Sequence, residues 1–282
     1  MANDISILKT ETKNIYNAAC CLALSNYPDS AFFVLNNIAT VLNYSNYKHI
    51  TTDQDLISLH NDKRWKALLE IILVNKKNSE ADFNKGLVSK LDSIYTDDQL
   101  ERSQDDAIGE RFGWNSEERK NLWRIIQKKD SINLIKVNSI YKEYGWSSTN
   151  VIGKQGSYTM FLVIQHSDIK TQEYYLPIIR QVVKDGKLSG QSLALLEDRV
   201  ALRQEKRQIY GSQIGNITGI NIDYVRPLED PDNVDKRRAE VGLEPMSEYL
   251  RKFNLTWDVK QYKKDLQSIE RKEKEVLILK TE

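Results

Sequence analysis

Side chains that could transfer protons or bind anions are concentrated between residues 165 and 238. A histidine titrates close to neutral pH, so His166 could act as a general acid or base. An aspartate and an arginine could orient it or bind a charged substrate, while a tyrosine and a glutamine could donate and accept hydrogen bonds. We therefore expect one polar pocket, with a hypothetical catalytic role, formed by His166, Asp198, Arg199, Tyr210 and Gln213.

Four further residues of this stretch are candidates for ligand binding: Gln165, Ser212, Arg237 and Arg238. Ser212 could be a nucleophile if His166 lay beside it as its base, although it is not flanked by the glycines of a hydrolase nucleophile elbow. The two arginines could bind a carboxylate or a phosphate, or could pair with the nearby acids Asp230 and Asp235. A buried hydrogen-bond network that fixes a helix to a hairpin is the alternative to a pocket.

The histidines and cysteines outside this stretch show no pattern of metal ligands. His49 and His60 have no clustered cysteines or carboxylates around them, so we expect surface or packing roles. Cys20 and Cys21 are adjacent in the chain, and adjacent cysteines rarely pair with each other. We therefore expect a fold without metal, cofactor or disulfide.

The composition argues against two kinds of partner. The 282 residues include 41 basic and 40 acidic side chains, a net charge of +1. This balance gives no electrostatic reason to bind nucleic acid or an anionic membrane. The longest apolar run, 160–164, is far too short to span a bilayer, and the first residues do not resemble a signal peptide. We therefore expect a cytoplasmic protein with no nucleic-acid or membrane partner.

The N-terminal region has the periodicity of paired helices. Apolar residues recur at three- and four-residue spacing, and the small residues Ala19 and Ala31 would let two helices approach closely. This spacing resembles one tetratricopeptide (TPR) repeat, with a weaker second unit at 53–74. We expect the TPR-like hairpins of residues 1–80 to bind a protein or peptide partner. Because so few repeats cannot bury a solenoid core, we expect them to pack on the rest of the chain.

The remaining residues, 85–282, predict a helical domain with one β-hairpin. Helical periodicity dominates the first half of this region. From Gln208 to Val225 the period changes to two, apart from a glycine-containing turn at 215–219, which predicts two antiparallel strands. The expected fold class is therefore mainly α, with the hairpin near 208–225.

Two acids, Asp97 and Asp98, stand at the expected start of a helix. Asp97 or Thr96 would cap that helix, and the acids would suit the positive end of its dipole. Capping alone explains them, so we do not expect a catalytic role for Asp98.

A segment with two glycines, 151–157, invites comparison with phosphate-binding loops. It lacks the Gly-Lys-Ser/Thr ending that such a loop needs, and no strand pattern precedes it. We expect a turn that begins a helix at Ser157, although the aromatic and branched residues of 158–164 would also suit a strand.

Several short motifs are similar to those of a known family. They are Asp98-Gln99 with Arg102, Tyr144-Gly145-Trp146, Gln165-His166, Leu196-Glu197-Asp198-Arg199, Gln208-Ile209-Tyr210-Gly211-Ser212-Gln213 and Asp235 to Leu243. On these residues the chain, from about 91 to 253, resembles a bacterial domain family of unknown function that often follows TPR-like helices. The family usually has threonine in place of Ser212, which keeps the hydroxyl. The resemblance implies no activity.

Three functions are compatible with these features. The first is an interaction protein that binds a partner through its N-terminal helices, with a polar pocket of unknown role around His166. The second is an enzyme, a hydrolase or a transferase, that acts at His166, Asp198 and Gln213. The third is a sensor that binds a small molecule in the same pocket. The sequence narrowly favours the first.

Overall fold

The computed structural model describes the backbone of residues 2–217 and 222–281 and the side chains of 12–215, 223–271 and 273. Over these residues the fold is mainly α-helical, with one two-stranded antiparallel sheet, which confirms the expected fold class. The chain divides into two compact units, Met1–Asn84 and Lys85–Glu282. No described helix is both long enough and apolar enough to cross a membrane.

The N-terminal unit is a small helical body with its own apolar core. Its described elements are α1 (Ala2–Leu24), α2 (Pro28–Thr40), α3 (Tyr47–Thr52), a 3-10 helix (Gln54–Leu59) and α4 (Lys63–Ser79). Ala19 and Ala31 are completely buried, and α1 packs on α2. The segment 53–74, expected as a weaker second unit, forms the 3-10 helix and most of α4. Asp53 and Asp62 each accept a backbone N–H at the start of these two elements.

The C-terminal unit contains the remaining elements. They are α5 (Lys85–Arg102), α6 (Asp105–Phe112), α7 (Glu117–Tyr144), α8 (Thr149–His166), α9 (Ile169–Lys184), α10 (Gly190–Arg203), β1 (Ile214–Ile217), β2 (Ile222–Val225), a 3-10 helix (Pro231–Asn233), α11 (Val234–Glu240), α12 (Met246–Arg251) and α13 (Val259–Thr281). The main apolar core is formed by α5, α7, α8, α9 and α10. A second, smaller cluster lies around β2, α12 and α13.

Helix α8 is the central element of the main core. Every residue from 159 to 165 is buried, and a helix that is apolar on nearly all sides must be surrounded by other elements. This explains why 158–164, which also suited a strand, is helical. The helix begins at Thr149 rather than at Ser157, and Gly153, with a φ of 68°, kinks it near its start.

The expected cap at Asp97 or Thr96 is wrong, because α5 continues through both residues to Arg102. Asp98 therefore lies in the last turn of α5, and its side chain is buried against the core instead of exposed at a helix start.

The hairpin is shorter than its sequence pattern predicts. Ile214 pairs with Val225 and Ile217 with Ile222, in antiparallel register, and part of the expected turn, 218–221, lies outside the described residues. The segment 208–213 is a loop rather than a strand. Its alternating residues do not form a ladder, because several of its backbone N–H groups donate to a side chain of α10 instead.

Candidate functional site

The ends of α5 and α8 bring an aspartate and a histidine together. Nδ1 of His166 lies 3.0 Å from Oδ1 of Asp98. The Asp98 side chain is 1% exposed and that of His166 is 18% exposed. Nε2 of His166 has no hydrogen-bond partner among the described residues, and the side chain is partly exposed. We call these two residues the Asp98–His166 pair: a buried carboxylate holds one ring nitrogen and leaves the other open.

The carboxylate of Asp98 is itself held by its neighbours. Its Oδ2 accepts a hydrogen bond from Nε2 of Gln99 at 2.6 Å, and Nη1 of Arg102 lies 3.9 Å from its Oδ1. Burial on its own raises the pKa of Asp98, but the hydrogen bond and charge of His166, together with Arg102 and Gln99, outweigh it and leave the pKa below its ordinary value. Asp98 is therefore ionised at neutral pH.

Asp98, Asp130 and His166 offer ligand atoms within 4.8 Å of one another, a separation that a metal ion could bridge. Arg102 already provides the positive charge at this point. Its Nη2 lies 2.9 and 2.8 Å from the two oxygens of Asp130, and the same guanidinium faces Asp98. A metal ion would have to displace this arginine, so the three residues fit a site neutralised by Arg102 better than a metal centre.

In the N-terminal unit, Cys20, Asp53 and Asp55 also lie within bridging distance of one another. Burial, with the charge of Asp53, raises the pKa of the Cys20 thiol to about 12, and the thiol donates a hydrogen bond to Asp53. Asp53 already accepts hydrogen bonds from the Tyr16 hydroxyl and the Asp55 amide as well as from this thiol, so the cluster fits a structural contact. Cys20 and Cys21 are both free thiols.

Asp198, expected beside His166, has a different role. It is completely buried, and its Oδ1 accepts hydrogen bonds from the amides of Ile209 (2.6 Å) and Tyr210 (2.9 Å). Its Oδ2 accepts one from the amide of Ser212 (2.8 Å). Burial raises the pKa of Asp198 despite these donors. We call this arrangement the Asp198 clamp, because one side chain of α10 fixes the backbone of the 208–213 loop.

Arg237 and Arg238, expected as ligand-binding residues, also hold the 208–213 loop, through its backbone carbonyls. Nε of Arg237 donates to the carbonyl of Ile209 at 2.9 Å, and its Nη1 lies 3.3 Å from Asp230. Nη1 of Arg238 donates to the carbonyl of Tyr210 at 2.7 Å. Both arginines donate to backbone carbonyls of this loop, so we assign them to its stability.

Tyr210 and Ser212 do not meet His166. The Tyr210 hydroxyl donates to Glu197 at 3.3 Å, and burial raises the pKa of Tyr210 to about 12. The Ser212 hydroxyl accepts from Nε2 of Gln213 at 3.1 Å and is nearly buried. Within the described part of the chain no hydrogen bond joins Ser212 to His166, so the geometry gives no nucleophile and base pair at this serine.

Arg199 connects the loop to the histidine. Its Nε lies 3.3 Å from Oε1 of Gln213, and its Nη1 donates to the backbone carbonyl of Gln165 at 2.9 Å. Gln165 directly precedes His166 at the end of α8. Four of the expected residues, Gln165, His166, Arg199 and Gln213, are therefore linked in one region. Asp198 and Tyr210 are not part of this linked group. Asp198 instead fixes the backbone of the 208–213 loop, which contains Tyr210 and Gln213.

The residues that sequence reasoning missed are on α5 and α7. Asp98 and Arg102, four residues apart, share one face of α5, and Asp130 of α7 binds Arg102. The signal available in the sequence was the Asp98-Gln99 motif with Arg102, where two opposite charges at helical spacing accompany a glutamine. It was interpreted as part of a helix start.

Gly211 gives the loop its shape. Its φ is +67°, and a Cβ there would lie 2.9 Å from Sδ of Met246. We expect Gly211→Ala to lower the free energy of unfolding by about 1–3 kcal/mol, from backbone strain and crowding together. Gly186, with a φ of +70° and no atom within 4 Å of an added Cβ, is the matched control. Urea denaturation of both alanine variants measures the difference, and equal losses would show that contact with Met246 contributes nothing.

Among the comparisons with known proteins, a family model matches the chain. Searches of curated proteins and of solved structures found no match. A family model, described as a family of unknown function (DUF6624), matches residues 87–262, more than half of the 282 residues. The matched span contains the Asp98–His166 pair, Arg199 and the Asp198 clamp. The chain therefore belongs to DUF6624, a family of unknown function.

Proposed function

We propose that the C-terminal unit is an enzyme, a hydrolase or a transferase, in which His166 transfers protons. The observation that carries this proposal is the Asp98–His166 pair, with its buried carboxylate on Nδ1 and its open Nε2. In histidine-based general acid–base catalysis, an acid of this kind fixes the tautomer of the ring and stabilises the imidazolium that forms.

The geometry supports a simple division of roles. With its Nδ1 proton donated to Asp98, the neutral ring has an unprotonated Nε2 that can accept a proton from water or from a substrate hydroxyl. The same nitrogen can then return the proton to a leaving group. Gln99 and Arg102 hold the carboxylate of Asp98 in place. Because Ser212 is bonded elsewhere, we infer that the nucleophile is water or a second substrate.

The test joins a ligand screen to a turnover assay. A metabolite library is screened by thermal shift against the wild-type chain, since a ligand stabilises the state that it binds, and each hit is followed for conversion by mass spectrometry. We expect His166→Gln to lower turnover of the converted hit by about 100-fold or more. His49→Gln is the matched control, because His49 also lies near an aspartate, Asp53, but is half exposed in the N-terminal unit.

Three outcomes separate the candidate functions. Turnover that His166→Gln leaves unchanged would refute the proposal. A ligand that requires His166 for binding but is never converted would show a sensor instead of an enzyme. Turnover lost in His166→Gln and kept in His49→Gln would support the enzyme.

Binding of a protein or peptide partner through the TPR-like N-terminal helices is the second candidate. Its support is the set of large apolar side chains that the N-terminal unit exposes, among them Leu24 (66%), Phe33 (73%) and Val41 (67%). This function does not need His166, so partner binding should be the same in the wild type and in His166→Gln. A cytoplasmic location belongs to the same proposal, and the two free thiols support it.

A further inference from the structure

Arg199 is a largely buried cation without an acidic partner. Its two hydrogen bonds go to neutral oxygens, the carbonyl of Gln165 and the amide oxygen of Gln213. Within the described residues it forms no ion pair. A buried guanidinium is normally paired with a carboxylate, because transferring a charge out of water costs free energy that its partner must offset.

Two other arginines of this region form ion pairs with acids. Arg102 pairs with Asp130 and Arg226 with Glu273. Arg203 and Arg238 form no ion pair among the described residues, but acids act on both. Burial lowers the pKa of each, and the charge of Asp168 opposes this for Arg203, as do those of Asp235, Glu244 and Asp198 for Arg238. Arg199 differs from them because the charges that act on its pKa are those of other arginines.

The charges that act on the pKa of Arg199 are those of other arginines. Burial lowers the pKa of Arg199 to about 10, and the charges of Arg203, Arg102 and Arg226 act in the same direction. Arg102 and Arg226 are themselves paired with acids, whereas Arg199 and Arg203 form no ion pair among the described residues. These two guanidinium groups produce a local positive potential, and such a potential attracts an anion.

Arg199 also retains unused donors. A guanidinium has five N–H groups, and the two protein contacts engage one on Nε and one on Nη1. The remaining donors are one N–H group of Nη1 and both of Nη2, and a carboxylate or phosphate can accept one hydrogen bond from each of two guanidinium nitrogens. The contact with Gln165 places this guanidinium beside the chain segment that ends in His166.

We propose that Arg199 binds an oxyanion, a carboxylate or a phosphate, of the molecule on which His166 acts. The inference about the substrate rests on the proposed catalytic role of His166, whereas the anion site itself does not. Gln213 is a positioning residue, since its amide oxygen holds Nε of Arg199. The bound anion would supply the negative charge that the fold lacks at this point.

The test measures thermal unfolding of the full chain in sodium phosphate, sodium acetate and sodium chloride at equal ionic strength. We expect phosphate or acetate to raise the Tm saturably, by several degrees more than chloride does. The anion that responds identifies phosphate or carboxylate as the ligand chemistry. Arg199→Gln should abolish the additional shift. Arg237→Gln, which removes an arginine that binds backbone carbonyls and Asp230, should lower the Tm in every salt and keep the additional shift.

The inference is overturned if neither anion exceeds chloride in the wild type, or if Arg199→Gln retains the shift. His166→Gln separates this result from the proposed function. An anion-induced shift that persists in His166→Gln and disappears in Arg199→Gln supports the anion site, whether or not turnover depends on His166.

Discussion

Asp98→Asn is expected to lower the free energy of unfolding by about 3 kcal/mol at neutral pH. The substitution keeps the shape of the side chain but removes the charge that faces His166 and Arg102. It also places a second amide N–H group against Gln99, which now donates to a carboxylate oxygen. Urea denaturation of the two proteins, followed by circular dichroism, measures the difference.

The same substitution one residue earlier is the control. Asp97 pairs with Lys136 at 3.1 Å, but both side chains are about two-fifths exposed, and an exposed ion pair contributes less than about 1 kcal/mol. If Asp97→Asn and Asp98→Asn lower the free energy of unfolding equally, the buried Asp98–His166 pair stabilises the protein no more than an exposed ion pair does.

The effect of Asp98→Asn should also depend on pH. The folded protein holds the pKa of Asp98 below its ordinary value, so its stabilising contribution is fully present above the unfolded pKa of about 3.9. The contribution is lost as the pH falls through the lower pKa of the folded state. The free energies of unfolding of wild type and variant should therefore converge in acid. A difference between them that stays constant as the pH falls through the folded pKa of Asp98 would contradict the charge-based explanation.

Asp198→Asn should be at least as damaging, with an expected loss of about 3 kcal/mol. Both oxygens of Asp198 accept backbone N–H groups, three in total. An asparagine must turn its NH2 group toward at least one of these donors and leave it unsatisfied in a buried position. Denaturation gives the free energy, and faster hydrogen exchange at the amides of Ile209, Tyr210 and Ser212 would locate the damage in the loop.

Asp168 provides the matched control for this second substitution. It is the N-cap of α9, and its carboxylate accepts the amide of Thr171 at 2.8 Å. Asparagine caps a helix as well as aspartate does, so Asp168→Asn should change the stability by less than about 0.5 kcal/mol. A large loss at Asp168, or protected loop amides in Asp198→Asn, would contradict the clamp.

The fold class was accessible from the sequence because it depends on local periodicity. The apolar run that ends at Gln165 could form a helix or a strand by pattern alone, and only its burial on all sides decides the matter. The 208–213 loop was misassigned for a related reason. Only Gln208 forms a backbone bridge in this segment, to Leu228, and its buried side chain donates to the carbonyls of Gln213 and Arg226. The rest of the segment is therefore held by side chains instead of by a continuous ladder.

The candidate site was only partly accessible. His166, Arg199 and Gln213 were identified by residue type, and the structure links Arg199 to Gln213 and to the residue before His166. The partner of His166 was not identified, because Asp98 precedes it by 68 residues and its neighbourhood resembles a helix cap. A single sequence contains no signal for which distant elements will pack together, whereas acids near a helix end have a sufficient local explanation.

The Asp198 clamp and the Asp98–His166 pair differ in the length of chain that each closes. The three bonds of the clamp span 11, 12 and 14 residues, whereas the pair spans 68. The entropy lost on closing a loop grows with its length, and short closures also form faster. Loop closure alone therefore favours the clamp, between α10 and the loop, as the contact that forms earlier in folding. The Asp98–His166 pair also requires α5 to dock on α8, so we expect the residues proposed for chemistry to come together later.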